Sequence, residues 1–139
     1  MSLPDRIAAP LGRLGPWAPL VLRLGIGLVF LHHGLMKIHM GVRGVAGFLG
    51  SLGFPVPAAW AVLLILIETV GAVCVVVGLW TGIWAALMAV EMAVALPVAV
   101  LPAGHSPELE ALLLAGAVAL AGLGDGPLAL GPLFRRRGT

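Results

Sequence analysis

Four apolar stretches, at roughly residues 16–36, 56–78, 82–101 and 107–124, decide what this chain can become. Each is close to the ~20 residues that carry a helix across a hydrocarbon layer about 30 Å thick. In lipid a spanning segment must satisfy its own backbone N–H and C=O groups, so such stretches fold as helices. The rest of the composition agrees: 60% of residues are hydrophobic and only 10% charged, with a mean hydropathy of +1.11. These values lie outside the range of soluble domains. The reading is all-α: an integral membrane four-helix antiparallel bundle, with residues 1–139 forming a single membrane domain.

The connectors set the order of the helices. Leu79-Trp80-Thr81 leaves so little chain between the second and third stretches that they must be antiparallel neighbours. Between the first and second, a glycine-rich segment places Val45, Phe48, Leu49 and Leu52 at the spacing of a short interfacial helix. Pro107 suits the start of the fourth helix. Trp17, Trp60, Trp80 and Trp84 fall near span ends, where indole rings favour the interface. Residues 1–16 are interrupted by Pro4, Pro10 and Pro16 and do not form the apolar core of a cleavable leader. Arg6, Arg13 and the three arginines 135–137 outweigh Lys37 and Arg43 on the other side, which puts both termini in the cytoplasm. A formal charge of +2 with scattered basic residues excludes a nucleic-acid surface. The lone Cys74, in an apolar run, forms no internal disulfide or dithiol pair and reads as a small hydrophobe.

Charges inside the spans are the informative residues, because they are costly in lipid and turn toward other helices or a watery cavity. At 100° per residue, Arg23, Gly27, Phe30, Gly34 and Lys37 share one stripe of the first helix, with His33 on its flank. Glu68 and Glu91 are the acids available to it. Rises of about 1.5 Å per residue put Arg23 about 9 Å, Glu68 about 15 Å and Glu91 about 13 Å from the same membrane edge. The expectation is one layer in which Arg23 lies between Glu68 and Glu91. Its side chain, tilted toward the helix N-terminus, has the alternative of reaching back to the membrane surface. A cluster of this kind either fixes helix packing or performs a function. Pro97 removes a donor from the third helix and predicts a bend just beyond Glu91.

His32 and His33 have no histidine partner in a later span, which disfavours a haem held between helices. His39, His105 and Glu108 share the outer side without an established ligand spacing, so no metal site is assigned. His33, one turn before Lys37, reads as a packing histidine or a proton relay.

These features together resemble the DoxX family of small integral membrane proteins. The first stretch, RLGIGLVFLHHGLMK, is similar to the family's arginine followed by a glycine-spaced run and G-x-x-K, here Gly34 to Lys37. FLGSLGFPVP resembles its loop of the type F-x-x-L-G-x-P, and Glu68-Thr69-Val70-Gly71 its E-x-x-G pattern. Asp125-Gly126-Pro127-Leu128 stands in the place of its terminal G-P-G segment, in altered form. The resemblance covers about residues 20–130. It implies a four-helix protein of the cytoplasmic (inner) membrane, linked in relatives to sulfur and thiol redox processes that include quinone oxidoreductase subunits. The family's polar positions carry over to Arg23, Lys37 and Glu68. Glu91 has no counterpart in the pattern, and the histidine expected near the end of the third span is displaced to His105 or lost.

The leading functional reading is a membrane subunit of a quinone-linked oxidoreductase, with Arg23, Glu68 and Glu91 as candidate catalytic residues and His33 and Lys37 joining them in ligand binding. Quinone is the non-covalent cofactor implied, and a redox protein is the partner. The alternatives are a small proton-coupled transporter, which would need subunits of a homo-oligomer around its path, and a membrane scaffold without chemistry of its own.

Overall fold

A computed structural model describes residues 12–135. Pro4, Arg6, Pro10, Arg136 and Arg137, which entered the readings of the leader and the orientation, lie outside the described residues.

The described residues are helical, with no strand among them. After a single turn at Gly15–Trp17, helix α1 runs over Ala18–Ser51 and is broken internally at Gly41, whose φ of 75° and ψ of 159° are not helical. Glycine enters that region of backbone space without a Cβ penalty, so the chain changes direction there and resumes a helix. The short helix expected between the first two spans is therefore the continuation of α1 beyond Gly41. Its Val45 and Leu49 are buried with Ala61, and Phe54, Leu64 and Ile65 pack against them.

Helix α2 spans Pro57–Val77, with proline at its first turn, and Gly78 ends it at a φ of 75°. One turn of it, Ile67–Gly71, opens to π geometry. Helix α3 spans Thr81–Val100. The bend expected from Pro97 takes the form of a second π turn at Leu96–Val100, where the Leu101 N–H reaches the Leu96 carbonyl at 3.0 Å. Helix α4 spans Glu108–Leu123, and a short α5, Gly131–Arg135, follows a loop.

Three of these helices are long and apolar enough to cross a membrane: the stretch Gly15–Ser51, Pro57–Val77 and Thr81–Val100. Large apolar side chains such as Val21, Leu28, Val62, Ile83 and Leu112 are exposed on the outside, as a lipid solvent requires. The protein is an integral membrane protein. Helix α4 has 16 residues, about 24 Å at 1.5 Å per residue, and is shorter than the other three.

One core joins α1 to α4 through Phe30, Val75, Met88, Ala117 and Leu120. The α1 stripe holds, with Arg23, Gly27, Phe30 and Gly34 all buried. In a bilayer, helix association rests on close packing, and small residues permit it. A Cβ on Gly27 would stand 2.6 Å from a Val76 methyl, and one on Gly71 2.6 Å from the Trp84 ring. A Cβ on Gly34 would overlap the backbone carbonyl of Glu68, which cannot move aside as a flexible side chain can.

Gly34→Val should therefore push α1 from α2 and destabilise the protein by about 1–3 kcal/mol, the usual cost of overpacking. Gly25→Ala, facing open space, should be neutral or slightly stabilising. Unfolding followed by tryptophan fluorescence in bicelles measures both.

Candidate functional site

Arg23 does not join the acids. Its Nε donates to the Val75 carbonyl at 3.1 Å and its Nη2 to those of Val76 at 3.0 Å and Leu128 at 3.3 Å. Its Nη1 donates to Pro127 O at 2.9 Å and to Asp125 O. The one-layer expectation fails for two physical reasons. An α-helical side chain tilts toward the N-terminus, which carries the guanidinium to the level of Val75, seven residues or about 10 Å beyond Glu68 along α2. The last carbonyls of α2 have spare acceptor capacity, Val75 O taking from the main chain only the Gly78 N–H at 3.1 Å, and sit at the negative end of the helix dipole, so they attract a fork of donors.

The same contact docks the chain after α4. Leu130 N–H and Gly131 N–H donate to the carbonyls of Val77 and Gly78 at 3.1 and 2.8 Å, while Asp125 Oδ1 accepts from the backbone N–H of Thr81 at the start of α3. Arg23 is thus the knot of one end of the molecule.

The acids sit toward the other end. Lys37, fourteen residues or about 21 Å along α1 from Arg23, meets Glu68 with Nζ 2.5 Å from Oε2. Glu68 is almost fully buried at 3% side-chain exposure, and Lys37 retains 25%. Glu91 on α3 lines the same cavity as Lys37 and Glu68. Glu68 occupies the π turn of α2, where Thr69 Oγ1 donates to the Ile65 carbonyl at 2.5 Å. A π turn inside an α-helix re-aims side chains and is frequent at functional sites.

Lys37, Glu68 and Glu91 line a cavity of about 490 Å³, within the range of ligand pockets. His33 is also on its wall, and apolar sides come from Phe30, Phe48, Trp60, Leu64 and Val98. Glu110, in the first turn of α4, lines it too. One carboxylate oxygen of Glu91 and one of Glu110, both Oε2, are buried without a hydrogen-bond partner among the described residues. Buried polar atoms of this kind ask for a partner supplied by water or ligand.

Glu110 is the residue that sequence reading missed, because the acids weighed were those of the second and third stretches, Glu68 and Glu91. The signal existed: Glu110 precedes Leu113, Ala117 and Leu120 by three, seven and ten residues, and all three are buried. His32 and His105 are exposed, and the exposed His39 hydrogen-bonds the Leu35 carbonyl at 2.8 Å. Among the described residues no group of three metal-ligating side chains comes together. Cys74 is a half-buried free thiol on α2.

The sequence profile of DoxX matches residues 18–101, more than half of the chain. The chain belongs to the DoxX family. One relative is the inner membrane protein YphA of Escherichia coli (strain K12), 32% identical over 70 residues, or 50% of this chain and 49% of YphA. The chain thus spans about half the length of the curated relative it matches. No solved structure matches. In this DoxX protein the matched segment contains Arg23, Lys37, Glu68 and Glu91, whereas Glu110 and Asp125 lie beyond it.

Removing one partner of a buried ion pair leaves an uncompensated charge, whereas replacing both with apolar groups is close to neutral. Lys37→Met and Glu68→Met should each cost on the order of 3 kcal/mol, the lower end because Lys37 keeps some exposure, and the double variant should recover most of the loss. A double-mutant unfolding cycle in lipid bicelles reads the coupling directly.

Proposed function

We propose that this DoxX protein is a membrane subunit of a quinone-linked redox system, and that its cavity binds the quinone. The observation that carries the reading is an apolar cavity with Lys37, Glu68 and Glu91 gathered on its wall and an unpartnered Glu91 oxygen at its surface. A quinone has the same division: a ring with two hydrogen-bonding oxygens and an apolar tail. Lys37 would hold one ring oxygen as a donor, Glu91 would hold the other by a hydrogen bond, and Phe30 and Trp60 would line the apolar wall beside the ring. Bound there, the quinone supplies the capacity to take up or give two electrons and two protons.

The chain's own part is positioning and proton handling. Glu68 orients Lys37 and holds its charge in place, and Glu91 is the carboxyl that gives or receives the proton. Arg23 plays no part in this chemistry and serves the packing of the opposite end. The chain's side chains carry no redox centre of their own for this role, so a redox partner protein would supply or accept the electrons, and the chain would be one component of a complex. With both termini cytoplasmic, the cavity end faces outward from the inner membrane.

A second reading, proton-coupled transport, draws on the three carboxyl groups along the cavity. Flux into proteoliposomes that depends on Glu91 but needs no quinone favours it.

Binding of a short-chain quinone, followed by quenching of Trp60 fluorescence, tests the first reading. Saturable quenching is expected in the wild type. Lys37→Met and Glu91→Gln should each weaken it about tenfold or more, the worth of a hydrogen bond to a charged group. Absence of saturable binding, or equal affinity in both variants, overturns it.

A further inference from the structure

We propose that Glu110 is the port through which the buried acid pair exchanges protons with water, and that this exchange is confined to the end of the molecule carrying the 101–107 turn. Four helices contribute the titratable groups that face the cavity: His33 and Lys37 from α1, Glu68 from α2, Glu91 from α3 and Glu110 from α4. Lys37 neutralises one carboxylate through the ion pair. One further proton on Glu68 or Glu91 makes that cluster neutral, and any chemistry that consumes it must replace it.

Glu110 is placed to do so. It belongs to the first turn of α4, next to the exposed turn at 101–106, yet its Oε2 is buried on the same cavity as the equally unpartnered Oε2 of Glu91. The cavity wall is mostly apolar, but its volume of about 490 Å³ leaves room for water between the two unpartnered carboxylate oxygens. The step balances: Glu110 gives its proton through water to the Glu91 carboxylate and takes another from the aqueous phase, so the net event is uptake of one proton, which restores the charge lost when the site's proton was consumed.

The opposite end is closed to protons. There Arg23, permanently cationic, directs its donors into five carbonyl oxygens of α2 and the 125–128 loop. A fixed cation in a closely packed joint, 1% exposed, is an electrostatic barrier to proton passage. One port and one plug give the site a sidedness.

The assignment deepens the quinone reading, which gives the proton its use, but its test needs no quinone, so the two fail separately. Infrared spectra of the protein in lipid are recorded after a switch to D₂O, following the C=O stretch of protonated carboxyl groups. Glu91→Gln should remove or shift the band, which assigns it to the acid pair. Exchange should slow by about 100-fold or more in Glu110→Gln, the usual worth of a positioned proton donor. It should slow less in Glu110→Asp, whose carboxyl is shorter but still ionisable. Glu108→Gln, altering an exposed neighbour, should match the wild type. If Glu110→Gln does not fold, the Asp variant decides: a wild-type rate there overturns the proposal. So does an unchanged rate in Glu110→Gln, or a band indifferent to Glu91→Gln.

Discussion

A charge that must stay in a hydrocarbon layer needs its counter-charge within reach, and the meeting of Lys37 with Glu68 is where this protein satisfies that demand. The pair joins α1 to α2 at a level where Gly34 lets the two backbones nearly touch. Glu91 brings α3 to the same place and Glu110 brings α4 to the same cavity. The polar groups therefore do two jobs at once. They bring four helices to one place, and they line the space left between them.

The two ends of the molecule use charge in opposite ways. At the Arg23 end the cation is consumed by backbone carbonyls, and the result is a closed, cross-braced joint between α2, the start of α3 and the chain after α4. Arginine suits this because its planar fork donates in several directions and never loses its charge. At the Lys37 end the cation has a carboxylate partner and carboxyl oxygens remain unpartnered around a cavity. A closed joint at one end and an apolar cavity with a few charged groups at the other is an arrangement in which ligand binding need not disturb the packing that holds the helices together.

Much of the fold was legible from residues alone, since length and hydropathy fix where helices cross and Pro57, Gly78 and Pro97 mark their ends and bends. The inward stripe of α1 followed from helical periodicity, and Gly34 with Lys37 pointed to the face that meets Glu68. What could not be read was pairing. Arg23 found oxygens of the main chain, which every residue carries and no side-chain pattern marks. Its partners at 125–128 belong to an irregular loop, and the π turn at Ile67–Gly71 shifts the face that Glu68 presents relative to an ideal helix. Glu110 escaped notice because it stands at the edge of the fourth apolar stretch, only two residues after α4 begins. Its alignment with Leu113 and Ala117 was the sign that it turns inward.

Lys37 is the only lysine in the chain, so a single isotopic label isolates it. Solid-state NMR in bilayers, with ¹⁵N on lysine and ¹³C on the glutamate carboxyl carbons, measures whether its ammonium rests against a carboxyl group. Strong dipolar dephasing that disappears in Glu68→Gln prepared without the carboxyl label at that position is expected. No dephasing in the wild type, with Lys37 free of any carboxyl carbon, would contradict a buried pair at the heart of the site.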